Sequence, residues 1–408
     1  MILMLKRNYY LNQIRPFVGK DVVKVLTGIR RCGKSVLLGQ IRDEIVSAGT
    51  DESRIVVLNF EDEGNKGLRS ADALEAFVVK RLGKKKTPFY LFLDEIQEVE
   101  GWQRCVNSLR VKPGVDIIIT GSNARLLSGE LSTYLSGRYV EIQVHPFSFA
   151  EYLEARGVAA GSPDVAAEFM RFVRLGGMPF LANLNWEESP SRQYLHDLFN
   201  SVVLRDILLR NKIRDADLME RLISYLSANI GRIFSATSIS KYFKHENRKV
   251  APETILNYIR YCEDAFLLRR IKRADLSGKK ILEINDKFYF PDHGLREAAG
   301  GGNVRDIELV LENIVCMELV RRGYSLTVGA LRDGEVDFVA EKGKARLYVQ
   351  VAYLLASEET VRREFGALAK INDNHPKFVL SMDEFDRGDN GIRHLNIKDF
   401  LLGKEGRL

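Results

Sequence analysis

One eight-residue phrase, Gly28-Ile29-Arg30-Arg31-Cys32-Gly33-Lys34-Ser35, restricts the fold of this chain more than any other. An apolar run, Val22–Leu26 with Thr27, leads into it, and a helical pattern, Val36–Ser47, follows. Two glycines five positions apart, then Lys-Ser, between a strand and a helix is the spacing of a phosphate-binding loop (Walker A). Glycine at 28 and 33 lets main chain curl around an anion with no Cβ in the way, so several backbone N–H groups and a helix N-terminus point at one phosphate. The expected nucleotide-binding set is Gly28, Arg30, Arg31, Cys32, Gly33, Lys34, Ser35 and Val36. Lys34 is expected on the β and γ phosphates and the Ser35 hydroxyl on Mg²⁺. Cys32 stands beside the start of a helix, where a lowered thiol pKa would make the loop sensitive to oxidation; the sequence leaves that question open.

The rest of the first third repeats strand and helix. Arg54–Phe60 is an apolar, β-branched run of strand length, and residues 71 to 83 are helix-like. Phe89–Leu93 is five consecutive apolar residues running into Asp94-Glu95, the Walker B pattern. A strand buried on both faces must be continuously apolar, and in an open α/β sheet its C-terminal end opens where ligands bind. Asp94 is therefore expected in the Mg²⁺ shell and Glu95 on the attacking water. Val115–Thr120 reads as another buried strand ending in Gly121-Ser122-Asn123, with Asn123 or Ser122 as a polar contact at its tip. Tyr139–Val144 closes a three-layer parallel sheet of order 5-1-4-3-2. Arg138, just before that last strand, is the candidate arginine finger, in cis or in trans; Arg125 is its rival, and a surface ion pair is the plain alternative. Residues 6 to 20 suggest a short helix ending near Pro16, with Arg7, Tyr9 or Tyr10 available to stack on an adenine or simply packed on the domain.

Composition excludes several classes. The four cysteines lie far apart and form no CxxC pair, so no zinc site or disulfide framework is indicated, and a reducing, cytoplasmic setting is expected. The MILML start is apolar for only five residues before Lys6, and no run approaches a membrane span. The net charge of +6 over 408 residues is mild, but between Lys241 and Lys280 eleven basic residues face five acidic ones, a surplus as large as that of the whole chain. That surplus falls on a run of three predicted helices, at 215 to 230, Ser235–Phe243 and Pro252–Phe266, followed by the strand-like Leu267–Arg273 and a turn at Ser277-Gly278. This is a winged-helix pattern, with Lys241, Lys244, Arg248, Lys249, Arg260, Arg269, Arg270, Lys272 and Arg273 as candidate DNA contacts or as a solvated face. Expected domains are 1–158, a P-loop ATPase domain; 159–278, helical and winged-helix-like; and 279–408, α/β, in which Asp306–Arg322 is a helix and Gly334–Val339 and Ala345–Ala352 are strands.

In one order, GIRRCGKS, FYLFLDEIQ, ITGSNARLL, LSGRYVEIQVHPFSFAEYL, LGGMP and LENIVCMELVRRGY resemble the AAA-type ATPases of the archaeal and bacterial family that carries a DUF4143 C-terminal region. The resemblance implies an AAA-like core and a C-terminal fold like that of restriction endonucleases. Such nucleases need an acidic helix residue, an Asp at a strand end and Glu-x-Lys on the next strand, because carboxylates hold Mg²⁺ and the lysine assists the water. Glu312 and Asp337 fit the first two positions. Gln350-Val351-Ala352 stands at the third, with an amide and a methyl group in place of the charges, so the resemblance implies a degenerate fold rather than an active nuclease. The expected activity is ATP hydrolysis driving a conformational switch. The alternatives are a DNA-binding regulator or defence component with slow hydrolysis and, behind it, an ATP-coupled nuclease. ATP, DNA, a protein partner or a second copy of the chain are the expected partners, with no membrane.

Overall fold

The continuously apolar runs become the central strands of an all-parallel sheet. In the computed structural model, which describes residues 5–83, 88–124, 135, 137–245, 248–276, 280–281, 285–301 and 306–404, the first elements are α1 (Asn8–Ile14), β1 (Val23–Thr27), α2 (Lys34–Ser47), β2 (Ile55–Asn59), α3 (Ala71–Leu82), β3 (Phe89–Asp94), α4 (Trp102–Arg110), β4 (Val115–Gly121) and β5 (Tyr139–Gln143). β1 and β3 are buried at every position. The sheet order is β5-β1-β4-β3-β2. Register places Leu26 against Thr120 and Ile142, and Leu93 against Leu58 and Ile119. Leu74 and Val78 from α3 and Val106 and Leu109 from α4 join Leu91, Leu93, Ile117 and Ile119 in one buried cluster. Each fully buried side chain of this size stabilises the fold by about 1.5–3 kcal/mol. Ser70 caps α3 by accepting from the Ala73 N–H. Lys24, fully buried in β1, is neutralised by Asp116 of β4, which also accepts from the Gly19 N–H.

The chain separates into two compact units, Met1–His145 with Asp264–Phe266, and Pro146–Glu263 with Leu267–Leu408. The second begins with α5 (Phe149–Arg156), whose N-terminus carries a capping box of Ser148 and Glu151. There follow α6 (Val165–Leu175), α7 (Glu188–Ser201) running on into a π-helical stretch at Val202–Leu209, α8 (Ala216–Ala228), α9 (Ala236–His245) and α10 (Pro252–Asp264). Then come β6 (Arg269–Asp275), β7 (Lys280–Ile281), β8 (Lys287–Tyr289), α11 (Ile307–Arg321), β9 (Ser325–Leu331), β10 (Gly334–Lys342), β11 (Ala345–Val351), α12 (Glu358–Ala369), β12 (Lys377–Ser381), β13 (Ile392–Asn396) and α13 (Ile397–Leu402).

These strands form a mixed eight-stranded sheet, β13-β12-β11-β10-β9-β6-β7, with β8 attached to β6. β9, β10 and β11 are an antiparallel meander, and β12 and β13 extend it in parallel. Besides β7, with which it pairs antiparallel at Ala274 and Asp275, β6 has two partners. Arg269–Ile271 pairs antiparallel with β8, and Lys272–Asp275 pairs parallel with β9. The basic strand expected beside the three helices is thus also part of the C-terminal sheet. Among the described residues no helix is long and apolar enough to cross a membrane.

Candidate nucleotide site

The loop after β1 has the backbone its sequence requires. Gly28 (φ 140°), Arg31 (φ 66°) and Gly33 (φ 102°) lie in the left-handed half of conformational space. At Gly28 a Cβ would stand 2.2 Å from the Val144 carbonyl oxygen, so only glycine fits. α2 begins at Lys34, whose side chain is buried. The Lys34 ammonium donates to the carbonyls of Gly28 (3.0 Å) and Ile29 (3.2 Å) and lies 3.8 Å from Glu95 Oε1. Arg30 pairs with Glu61 at 2.8 Å, while Arg31, Ser35 and Val36 are exposed along the loop and first helical turn.

The second motif meets the first at the C-terminal ends of β1 and β3. Asp94 Oδ1 accepts from the Thr120 hydroxyl, and the Ser35 hydroxyl hydrogen-bonds the same carboxylate. Burial pushes the Asp94 carboxyl above its ordinary range, an effect the Thr120 and Ser35 hydrogen bonds only partly offset. Glu95 adopts φ 52°, a strained conformation for a non-glycine residue. Its N–H donates to Thr120 Oγ1 (2.9 Å) and its carboxylate accepts from Gln97. Thr120 therefore holds both acidic residues, a role the sequence reading missed although it lies in the apolar run ending at Gly121. Ser122, buried at the tip of β4, has a hydroxyl with no hydrogen-bond partner among the described residues, next to the buried Asn123. An orphaned buried hydroxyl, a glycine-only phosphate loop, and a hydroxyl–carboxylate pair at the end of an apolar strand fit a nucleotide with a divalent ion. Ser35 and Asp94 are the residues that would hold the ion.

Three readings left open by the sequence are narrowed. Arg138 lies at the other end of the sheet. Its carbonyl accepts from the Val23 N–H, at the start of β1, and the register runs Val23 to Tyr139 and Thr27 to Gln143. Five strand residues, about 16 Å, separate it from the loop, too far for an arginine to act in cis. Its rival Arg125 falls outside the described residues. Arg7 and Tyr10 are buried, with no open face for an adenine. Instead the Arg7 guanidinium donates to the carbonyls of Cys32 (3.2 Å) and His145 (3.0 Å) and lies 4.6 Å over the Tyr10 ring, while the Tyr10 hydroxyl accepts from the His145 N–H. These two side chains tie the phosphate loop to the end of β5. The Cys32 thiol is fully buried, and burial raises its pKa despite nearby Lys34 and Arg7. Under mild oxidant, wild type and Cys32→Ala are therefore expected to keep their phosphate release equally; selective loss in the wild type would show that the thiol is reachable.

In the second unit, Glu312 on α11 and Asp337 on β10 are buried, and burial raises both carboxyls, Asp337 strongly. Asp337 Oδ2 accepts from the Val351 N–H, and its own N–H donates to Gln350 Oε1. Ala352 is fully buried. The basic stretch is partly neutralised: Arg248 pairs with Asp215 and Asp217, Arg270 with Glu263 and Asp286, and Arg273 with Glu335. Lys241, Lys244, Lys249, Arg260 and Lys272 are exposed.

Two families match the chain: an AAA domain over residues 20–153 and a domain of unknown function (DUF8612) over residues 166–306, the latter in place of the DUF4143 region expected. An uncharacterised protein of Haemophilus influenzae is 38% identical over 400 residues, covering 98% of this chain and 99% of that protein. Another, of Methanocaldococcus jannaschii, is 28% identical and covers 92% of this chain and 85% of its own length. A Walker-type ATPase of Pyrococcus abyssi is similar in structure at a TM-score of 0.49 and 12% identity, covering 72% of this chain and 96% of that one. With a P-loop between β1 and α2, paired carboxylates at the end of β3 and a relative matched over 98% of the chain, the chain belongs to the family of the Haemophilus influenzae protein, and its N-terminal part is an AAA-type P-loop domain.

Proposed function

We propose that this protein is a Mg²⁺-dependent ATPase that works as an ATP-driven conformational switch, in three functional segments, 1–158, 159–278 and 279–408. The convergence of Lys34, Ser35, Asp94 and Glu95 at the ends of β1 and β3 carries this reading. ATP is held by Gly28 to Ser35 with Val36, Mg²⁺ by Ser35 and Asp94, and the attacking water is oriented by Glu95, with Asn123 or Ser122 at the γ-phosphate. Arg7 supports the switch, because one buried guanidinium joins the Cys32 carbonyl of the loop to the His145 carbonyl where the first unit ends. Arg138 belongs to this reading only as a finger in trans, contributed by a second copy of the chain.

The exposed lysines favour a second reading, in which the partner is duplex DNA and the protein a DNA-binding regulator or defence component with slow hydrolysis. Helices α8, α9 and α10 followed by the antiparallel β6–β8 pair are the elements of a winged helix, and the meander β9–β11 with α11 and α12 is the arrangement that suggests an endonuclease-like fold. The test is phosphate release with and without duplex DNA, beside a salt titration of DNA affinity. Changing Lys241, Lys244, Lys249 and Lys272 together to alanine is expected to lower the slope of log affinity against log salt by up to about 0.9 for each DNA phosphate that is no longer neutralised. An unchanged slope, with hydrolysis indifferent to DNA, removes the DNA reading and leaves a protein partner.

A further inference from the structure

An active nuclease of the fold this region resembles would hold a divalent metal at the positions of Glu312 and Asp337, and the donor set does not fit one. The Lys287 side chain, on β8, is buried and points its ammonium into this group: Nζ lies 2.8 Å from Glu335 Oε1, 3.3 Å from Glu312 Oε1 and 3.7 Å from Asp337 Oδ1. Three carboxylates therefore converge on one point, and a side-chain cation fills it. The remaining space around Glu312 is also taken. The Tyr289 hydroxyl donates to Glu312 Oε1 at 2.6 Å. On the other side Gly231, at φ 67°, brings its main chain so near that a Cβ would stand 2.9 Å from Glu312 Oε2. Mg²⁺ demands octahedral oxygen coordination and keeps several of its waters, for which this packing leaves no shell while the Lys287 ammonium stands between the carboxylates. Among the described residues no group of three or more His, Cys, Asp or Glu is arranged to hold a metal ion.

We propose that the Lys287 ammonium is the permanent cation of this centre, standing in the position a divalent metal would take between Glu312 and Asp337, so that the C-terminal domain acts without a metal. The carboxylates are then structural. They hold β8, and with it the β6–β8 pair, to α11 on one side and β10 on the other. One buried ammonium among three carboxyl groups offsets one negative charge, and burial raises the Glu312 and Asp337 carboxyls, so the cluster is less costly to bury than an acidic pair with no cation. The arrangement also accounts for Gln350: with three carboxyl groups already sharing one ammonium, an amide that accepts from the Asp337 N–H serves where a further carboxylate would add unpaired charge.

The test counts Mn²⁺ bound to the nucleotide-free full chain by electron paramagnetic resonance. Wild type and Asp337→Asn are expected to bind the same number of ions, because no metal uses Asp337. Lys287→Met, which leaves the carboxylates without their cation, is expected to gain one ion per chain, held at least tenfold tighter than any in the wild type. Lys287→Met/Asp337→Asn is expected to lose that ion again. One more ion in the wild type than in Asp337→Asn overturns the proposal, and so does a folded Lys287→Met protein that gains none. If Lys287→Met does not fold, the wild type against Asp337→Asn comparison decides alone: equal counts support the proposal, and a difference of one ion overturns it.

Discussion

Replacing Lys34 by alanine is expected to lower steady-state phosphate release by at least about 100-fold, the scale on which a single electrostatic donor to a developing charge acts. The expectation follows from where the ammonium sits. It is buried, its hydrogen bonds go to two carbonyls of its own loop, and its nearest anion is Glu95. A triphosphate offers this cation a stronger acceptor than neutral carbonyls do, because hydrogen bonds between ionised partners are roughly twice as strong as neutral ones. Alanine is a good helix former and Lys34 opens α2, so the variant keeps the fold. Two measurements are needed, phosphate release and equilibrium binding of a fluorescent ATP analogue. Both are expected to fall. Hydrolysis by Lys34→Ala at the wild-type rate would remove the P-loop from the reaction and with it the proposed function.

What the sequence made legible was decided by how local each signal is. The strands β1 and β3 are buried on both faces, so their apolar runs declare them, and the glycine spacing declares the loop between β1 and α2. α4 was less legible. In WQRCVNSLR the residues Trp102, Cys105, Val106 and Leu109 recur at helical spacing and pack on the sheet, but the helix follows a glycine at φ 69° with no side-chain cap to mark its start. β9 was hidden by Gly329, a residue that weakens strands, yet Leu276 and Val339 pack so closely on it that a Cβ there would stand 2.8 Å from Leu276. The short β13 carries Arg393, His394 and Asn396, too polar to stand out by its pattern.

Tertiary roles were the harder part. Nothing near Arg7 in sequence says that its guanidinium will cap carbonyls at Cys32 and His145. For Arg138 a signal did exist. A residue just before a strand in a parallel sheet lies at the end away from the ligand-binding edge, and that rule places Arg138 opposite the P-loop. Lys287 had one as well: a lysine directly ahead of Phe288-Tyr289-Phe290 is a charge entering an apolar strand, and a buried charge needs partners elsewhere in the fold.

Glu95→Gln is expected to separate binding from hydrolysis. The side chain is buried, and its backbone is held at φ 52° by the N–H bond to Thr120. Glutamine has the same shape, so this geometry is retained and the substitution removes only the negative charge and the ability to accept a proton. Loss of a positioned general base costs about 10²- to 10⁴-fold, and hydrolysis is expected to fall by at least the lower of these. ATP affinity is expected to be equal to the wild type or higher, because the carboxylate 3.8 Å from Lys34 competes with phosphate for that ammonium and repels the incoming triphosphate. Asp94→Asn should behave differently. Asp94 already shares a hydrogen bond with Ser35, so its replacement is expected to weaken the Mg²⁺ dependence of ATP binding and not only the chemical step. The contrast is read by rapid filtration of labelled ATP across a Mg²⁺ series, beside phosphate release. If Glu95→Gln hydrolyses ATP as the wild type does, the water is oriented by another group, and the orphaned Ser122 hydroxyl at the tip of β4 becomes the residue to change next.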